Sequence, residues 1–345
     1  MKLLIVGMGG IGQRHLRNLG RLAGTDLEIA AWRQRGQNHV LTDQLTIEPD
    51  LDLRTAYGIT EYPTLEDALA ARPNAVLICN PTSLHMPVAL AAARAGIDLF
   101  IEKPLSDRWE GVDELVGIVS RRKLAGAVGY QMRFHPCLRR LRELLEAKAV
   151  GRVITVSALV GEFLPAWHTY EDYRELYASR RDLGGGVILT QIHELDYIAS
   201  LFGMPRRVFA LGGHFSGLDV DVEDTASLLL ECVVDGTMVP VHVHQDYVMR
   251  PPSRTCEVTG EQGRIAVDFV AARVVVTDVR GERVEVTSYG DFDRNDMFVE
   301  EMKHFLACVR RESSPIVSIA DGARSLHVAL AALESLRTGA VVTIS

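Results

Sequence analysis

Three glycines near the start of the chain have a spacing that suits the binding of a phosphate group. The stretch GMGGIG, residues 7–12, follows the apolar run LLIV and opens a helical pattern. In this spacing Gly7 allows a tight turn, Gly9 lets a pyrophosphate approach the backbone, and Gly12 lets the helix pack on the strand. A glycine turn that only links strand to helix is the alternative. The order of strand, loop and helix favours a dinucleotide site. Contacts are expected from Gly7, Met8, Gly9, Gly10, Ile11 and Gly12.

The acidic residue that holds the adenosine ribose in NAD sites is missing at the end of the second apolar run. A carboxylate is usual about 20 residues beyond the glycines, but residues 30–36 read AAWRQRG. Arg33 and Arg35 could pair with the 2′-phosphate of NADP, whereas no carboxylate stands there to bind a 2′-hydroxyl. The sequence therefore favours NADP over NAD, and two solvated surface arginines are the alternative.

A glutamate, a lysine and a proline end the apolar run in FIEKPLS, residues 100–106. Ligands of a doubly wound sheet bind outside the carboxyl ends of its strands, so Glu102 and Lys103 are expected to face the cofactor crevice. Pro104 fixes the turn that follows and has no N–H to satisfy. A weak ion pair that caps an exposed strand end is the alternative.

The elements that must position these residues fall into two groups. Over residues 1–125, short apolar runs alternate with helical patterns, which predicts a dinucleotide-binding Rossmann domain of the α/β class with a doubly wound parallel sheet. Over residues 126–345, strand patterns follow one another, which predicts an α+β domain with a large, mainly antiparallel open sheet. Helical spacing over residues 296–311 and 321–337 predicts closing helices that pack back. The 345 residues suffice for two domains.

Composition narrows the classes of function and location. The formal net charge of −8 gives no basic field for nucleic acid, and no apolar run is long enough to span a membrane. The five cysteines are far apart and never spaced as C-x-x-C, which argues against a zinc ribbon or a disulfide framework and favours the cytoplasm. His242 and His244 alternate on one strand face without an evident third ligand, so no metal is expected.

Five motifs, in this order, closely resemble those of the glucose-fructose oxidoreductase, inositol dehydrogenase and rhizopine catabolism (Gfo/Idh/MocA) family of oxidoreductases. They are GMGGIGQRH, CNPTSLH at 79–85, FIEKPLS, VGYQMRFHP at 128–136 and GGGVILTQIHELD at 184–196. The resemblance covers essentially the whole chain, and the E-K-P segment is its most specific motif. It implies an NAD(P)-dependent enzyme acting on a carbohydrate, and a homodimer or homotetramer formed on the second sheet.

The resemblance also implies contacts around the nicotinamide. It puts Glu102 near the nicotinamide ribose and Lys103 against both the cofactor and the reacting hydroxyl. The further cofactor contacts that it implies are Asn80, Pro81, Thr82, His85 and Gln131. For His85, a hydrogen bond at the start of a helix is an equally open alternative. Tyr130 is expected to face the nicotinamide and the substrate.

His193, in the last of the five motifs, is the candidate for moving the hydroxyl proton. Its family position and a side-chain pKa near neutrality suit this role, and a satisfied core or surface histidine is the alternative. Many family members carry an aspartate three or four residues earlier, where this chain has Leu189 and Thr190. Threonine cannot hold charge at neutral pH. Of the two acids that could compensate, Asp196 is better placed than Glu194.

Substrate recognition is expected from residues 166–182, which are rich in aromatic and hydrogen-bonding side chains. This composition suits a sugar, although a loop ordered at a subunit interface would look the same. The arginines of the stretch could pair with a phosphate or carboxylate, or simply be solvated. The residues expected to contact substrate are Lys103, Tyr130, Trp167, His168, Arg181, Thr190, His193 and Tyr247.

The sequence therefore predicts a dehydrogenase or reductase that uses NADP or NAD and acts on a sugar, sugar acid, cyclitol or nucleotide sugar. Lys103 and His193 are the predicted catalytic residues. One alternative is a redox-assisted glycosidase or epimerase with tightly bound cofactor. Another is a dinucleotide-binding regulator without turnover, which the missing aspartate would explain.

Overall fold

The first half of the chain forms a parallel sheet of six strands. The computed structural model describes residues 1–23, 27–33 and 38–344. The strands in the first part of the chain are β1 (Lys2–Val6), β2 (Glu28–Trp32), β3 (His39–Leu41), β4 (Ile47–Asp52), β5 (Thr60–Glu61), β6 (Ala75–Ile78), β7 (Asp98–Glu102) and β8 (Gly126–Gly129). The sheet order is β5-β2-β1-β6-β7-β8 with every pair parallel, while β3 and β4 form a separate hairpin. The predicted doubly wound sheet is confirmed.

Both faces of this sheet are buried, as its continuous apolar runs predict. Leu4 and Val6 contribute to one hydrophobic core, and their neighbours Leu3 and Ile5 to the other. The helices of the chain are α1 (Gly10–Ala23), α2 (Leu53–Tyr57), α3 (Leu65–Ala70), α4 (His85–Arg94), α5 (Val112–Arg122), α6 (Pro136–Glu146), α7 (Val187–Thr190), α8 (His193–Phe202), α9 (Arg294–Val309) and α10 (Ile319–Thr338).

The second half forms a larger sheet of nine strands. They are β9 (Val153–Gly161), β10 (Arg207–Gly213), β11 (Thr225–Val234), β12 (Thr237–Asp246), β13 (Ser253–Gly260), β14 (Gly263–Asp268), β15 (Arg273–Asp278), β16 (Arg283–Ser288) and β17 (Val342–Thr343). The order is β16-β15-β14-β13-β9-β12-β11-β10-β17. Only β9 and β12 pair in parallel, so the sheet is mainly antiparallel, as predicted.

The two closing helices pack on different partners. Each begins with a capping box, formed by Asp293 with Asp296 in α9 and by Ser318 with Asp321 in α10. Helix α9 returns to the first sheet and packs on α1, whereas α10 packs on β10 and α8. The predicted helices over residues 296–311 and 321–337 are therefore present with shifted ends.

The predicted domain boundary after residue 125 falls just before β8, the edge strand of the first sheet. That division of the chain stays a prediction. Across the described ranges, no helix combines the length and the apolar character that crossing a membrane requires.

Candidate active site

A cavity of about 740 Å³ lies at the carboxyl ends of the parallel strands. Residues that follow β1, β2, β6 and β7 line it, and so do residues at the end of β9, in β13 and at the start of α8. The cavity thus reaches from the first sheet to the second half of the chain. Ligands of open α/β sheets bind at this edge.

The glycine loop forms one wall of the cavity. A side chain at Gly7, where φ is 90°, would come within 2.6 Å of the Asn80 nitrogen, and one at Gly12 within 2.1 Å of the Gly7 carbonyl oxygen. A side chain at Gly9 would meet no described atom within 4 Å, so the backbone there is open to a ligand. Helix α1 begins at Gly10. Open backbone at a helix N-terminus fits the pyrophosphate of a dinucleotide. The loop residues that line the cavity are Gly7, Met8, Gly9, Gly10 and Ile11. Gly12, also expected to contact the cofactor, packs against Gly7 and does not line the cavity.

Arg33, which follows β2, also lines the cavity. Its guanidinium pairs with Glu61 on β5 and donates from Nη2 to Asn38 Oδ1 over 2.8 Å. Glu61 in turn pairs with Arg54. Part of the charge of Arg33 is therefore compensated within the protein. Arg35 lies outside the described residues.

Glu102 and Lys103, at the end of β7, contact different partners. The buried Glu102 Oε1 lies 2.6 Å from His15 Nε2, and Oε2 accepts from the Lys103 backbone N–H over 3.2 Å. The Lys103 ammonium donates to the Thr190 carbonyl oxygen over 2.8 Å and to the Tyr177 hydroxyl over 3.4 Å. Lys103 thus reaches the second half of the chain, and the two side chains form no ion pair in the described structure. This geometry argues against the alternative in which Glu102 and Lys103 form a weak ion pair at an exposed strand end.

His85 joins two of the loops at the cavity. Its buried ring lies between two carbonyl oxygens, with Nε2 2.8 Å from that of Asn80 and Nδ1 2.9 Å from that of Pro104. A neutral imidazole can donate only one of these bonds, and burial lowers the pKa of His85. These contacts favour the structural alternative for this residue. The predicted cofactor residues that line the cavity here are Asn80, Pro81, Thr82, His85 and Gln131.

His193 is the first residue of α8 and lines the cavity. The ring is buried, and its Nδ1 has no partner among the described residues. Tyr130 packs edge-on against it at 5.6 Å between centroids. Burial above all, and then the positive charges of Arg254, Lys103 and Arg294, hold the pKa of His193 well below 6.5. The imidazole is therefore neutral at pH 7 and can accept a proton.

The two acids that follow His193 bind arginines instead. Asp196 Oδ2 accepts from Arg133 Nε over 2.6 Å, and Asp196 Oδ1 accepts from the Ser325 hydroxyl. Glu194 accepts two bonds from Arg254, over 2.8 and 2.9 Å. The structure thus gives no support to the idea that either acid compensates for the missing aspartate. Burying each carboxylate with an arginine satisfies both charges.

The expected substrate residues divide into two layers. Thr190, Trp167 and His168 line the cavity, and the buried Thr190 hydroxyl interacts with that of Tyr247. Tyr130 and Tyr247 are fully buried and do not line it. Tyr130 supports His193, and Tyr247 packs edge-on against the Trp167 ring at 5.6 Å. Both tyrosines therefore shape the cavity from behind instead of facing a substrate.

Arg181 is not at the cavity, contrary to the expectation from the sequence. Its backbone N–H and its Nη2 both donate to Asp221, each over 2.7 Å. The side chain is exposed. Because Asp221 lies 40 residues further along the chain, local sequence gave no sign that it would hold Arg181 on the surface.

Sequence reasoning missed three arginines that line the cavity: Arg14, Arg254 and Arg294. Arg14 lies one helical turn after Gly10, a spacing that puts both on one face of α1 and could have drawn attention to it. Arg254 belongs to β13, and Arg294 begins α9. No local signal connects these two positions with the glycine loop.

Comparison with known proteins gives relatives that match nearly the whole chain. It is 26% identical to the myo-inositol 2-dehydrogenase of Thermotoga maritima, with 97% of this chain and 96% of that protein covered. It is 27% identical to D-xylose 1-dehydrogenase (NADP(+)) 2 of Haloferax volcanii, with coverage of 99% and 98%. Among solved structures, a dehydrogenase from Bordetella pertussis in complex with NADH and UDP-GlcNAcA superposes with a TM-score of 0.79 at 20% identity, with coverage of 100% and 99%. This last likeness concerns the fold.

Two family models together match most of the chain. Residues 1–130 match an oxidoreductase family with an NAD-binding Rossmann fold, and residues 138–266 match the GFO/IDH/MocA C-terminal domain. The resemblance seen in the five motifs is thereby confirmed. With its glycine loop and both matching domains in one chain, this protein belongs to the Gfo/Idh/MocA family of NAD(P)-dependent oxidoreductases.

Proposed function

We propose that the protein oxidises a secondary alcohol of a carbohydrate, or reduces the corresponding ketone, with NAD(P) as the hydride carrier. The observation that carries the proposal is that the glycine loop, Lys103 and His193 line one cavity. Two relatives add the substrate class, because they are named as dehydrogenases of an inositol and of a pentose.

In this proposal His193 and Lys103 act on the same hydroxyl. His193, neutral at pH 7 because its pKa is well below 6.5, accepts the proton during oxidation. The Lys103 ammonium, held 2.8 Å from the Thr190 carbonyl oxygen, stabilises the negative charge that develops on the substrate oxygen. When bound, the nicotinamide supplies the acceptor for the hydride. Reduction of the ketone reverses these transfers.

Thr190 stands near the position at which many family members carry an aspartate. Its hydroxyl interacts with that of Tyr247, and a hydroxyl can both donate and accept, so it can also bond to a substrate hydroxyl. It cannot take a proton at neutral pH. For this reason we assign proton transfer to His193 without help from a neighbouring carboxylate.

Replacing either catalytic residue tests the proposal. Lys103→Met removes the positive charge and keeps most of the stem, while His193→Asn removes the proton acceptor, so each should lower kcat roughly a hundredfold or more. Turnover is followed by the absorbance of reduced nicotinamide over a panel of sugars, sugar acids and cyclitols with both dinucleotides. The dinucleotide Kd should stay within a few-fold in His193→Asn. An acid limb below pH 6.5 in the wild-type kcat/KM profile should disappear in that variant.

Lys148→Met and His242→Asn serve as matched controls, because neither residue lines the cavity. Both should keep wild-type turnover. Near-full turnover of His193→Asn on a substrate of the wild type would contradict the assignment of the proton. A wild type that binds dinucleotide but reacts with no member of the panel would instead favour a regulator without turnover.

A further inference from the structure

Two arginines from distant parts of the chain meet at the cavity. Arg14, on α1, and Arg294, the first residue of α9, both line it. Arg14 Nη1 donates to Asn295 Oδ1 over 3.1 Å, and its guanidinium lies 4.9 Å from the centroid of the Phe298 ring. The packing of α9 on α1 therefore brings the two guanidinium groups to the same side of the cavity.

Among the described residues, neither arginine forms an ion pair with a carboxylate. Asp43, which pairs with Arg17 and Arg21, and Asp293, which caps α9, offset only part of the Arg14 charge. Burial, and then the charge of Arg294, lowers the pKa of Arg14. Arg14 is half-buried and Arg294 is exposed. Two like charges on one side of a cavity, neither in an ion pair with a carboxylate, favour the binding of an anion between them.

The positive charge extends to the catalytic histidine. Every charge that shifts the pKa of His193 is positive, and they belong to Arg254, Lys103 and Arg294. Arg254 is neutralised by its two bonds to Glu194. The other two cations have no carboxylate partner in the described ranges. The charges that act on His193 from the cavity are therefore positive.

Four described carboxylates also line the cavity, and their described contacts are with groups other than these cations. Glu102, next to Lys103, lies 2.6 Å from His15 and forms no ion pair with Lys103 in the described structure. Glu171 lies 3.4 Å from His168, and Glu175 lies 3.3 Å from Arg180. Glu162 acts on the Arg254 and Glu194 pair and not on the pKa of His193. Glu162, Glu171 and Glu175 belong to the side of the cavity formed by residues 162–175.

We infer that Arg294, together with Arg14, binds an anionic group of the substrate, a carboxylate or a phosphate, while its reacting hydroxyl lies at Lys103 and His193. The substrate class is thus an acidic carbohydrate, such as a sugar acid or a sugar phosphate. This inference rests on the proposed function. A phosphate of the dinucleotide is the other source of the same chemistry, because the glycine loop lines the same cavity.

Binding titrations separate the two sources. Calorimetry on the NADH-loaded protein compares acids with neutral counterparts: D-glucuronate and D-gluconate against D-glucose and D-glucitol, and D-glucose 6-phosphate against D-glucose. Wild type should bind at least one acid more tightly than its neutral counterpart. Arg294→Gln should weaken that acid roughly tenfold or more, since a charge-assisted bond is lost, and should leave the neutral sugar unchanged. Arg14→Gln should act in the same direction.

Dinucleotide affinity gives the deciding readout. The Kd of NAD and NADP should stay within about twofold in Arg294→Gln, a change too small for the loss of a phosphate contact. Lys303→Gln is the control on the same helix, because Lys303 is exposed and lies 3.6 Å from Glu300. It should change no affinity.

Three results would overturn the inference: no acid preferred over its neutral counterpart, no effect of Arg294→Gln on an acid that is preferred, or a dinucleotide Kd weakened as much as the acid. Because binding needs no turnover, the proposed function can fail separately. An acid that is preferred and binds through Arg294, but is neither oxidised nor reduced, would contradict the oxidoreductase proposal and still support the anion site.

Discussion

At the scale of single residues, Glu301 on α9 is a buried carboxyl without a protein partner in the described part of the chain. Burial, and then the charge of Glu102, raises its pKa well above 4.5. Glu301 therefore keeps its proton in the folded protein at pH values where the unfolded chain has lost it. Folding is weakened as the pH rises above about 4.5, and the loss continues until the pH passes the raised folded pKa.

Glu301→Gln should remove this loss, because it keeps the shape of the side chain but cannot ionise. We expect the Tm of the variant to exceed that of the wild type by more at pH 8 than at pH 5, measured by thermal unfolding. Glu300→Gln, an exposed neighbour on the same helix, should show no such trend. A Tm difference that is the same at both pH values would contradict the assignment.

We expect the choice between NADP and NAD to depend on Arg33 and its partner Glu61. Arg33→Asp should weaken NADP relative to NAD, because it removes a charge-assisted contact and repels the 2′-phosphate. Glu61→Gln should do the opposite, because it releases the Arg33 charge from its ion pair. Fluorescence titration of both reduced dinucleotides gives the ratio of Kd values. If the wild type prefers NAD and Glu61→Gln leaves the ratio unchanged, Arg33 does not bind a 2′-phosphate.

The residues that could be predicted are those whose role depends on nearby sequence. The glycine loop and Lys103 each come directly after the end of a strand in the sequence, and the structure brings both to the cavity. The positions of Arg181 and Arg294 could not be predicted, because they depend on contacts with residues that are distant in the chain. A contact with Asp221 removes the first from the cavity, and the packing of α9 on α1 brings the second to it. Such long-range contacts leave no periodic signal in a single sequence.

At the scale of elements, α9 completes the core of the first sheet. Its Met302, Phe305 and Leu306 join the hydrophobic cluster that contains Leu3 and Phe100. Helical periodicity predicted this helix, because apolar positions recur at the right spacing. The surface on which α9 packs could not be predicted, because an apolar stripe indicates that a helix is buried on one side but not which surface buries it.

Phe305→Ala should destabilise the protein by roughly 3–5 kcal/mol, the cost of removing a buried aromatic ring and leaving a cavity. The side chain is 1% exposed, and its ring lies 5.4 Å from that of Phe100. Urea unfolding measures the change. Lys303→Ala, an exposed position on the same helix, should stay within about 0.5 kcal/mol. A loss below about 1 kcal/mol for Phe305→Ala would mean that α9 adds little to this core.

At the scale of the whole molecule, each half of the chain supplies what the other lacks. The first sheet brings the glycine loop and Lys103, and the second half brings His193 and the carbonyl oxygen that binds the Lys103 ammonium. The alternation of strand and helix patterns predicted the first sheet correctly, and the succession of strand patterns predicted the second. The cavity itself could not be predicted, because its shape depends on how the two halves pack.

The position of α9 in the chain has a consequence for synthesis on the ribosome. The surface made by Leu3 and Phe100 exists from the first third of translation, yet the helix that covers it begins only at residue 294. The nascent chain therefore carries an uncovered apolar face for most of the time that its second half is being made, when aggregation is a hazard. Protection of this face by a chaperone until the last 50 or so residues emerge would fit the order of the elements.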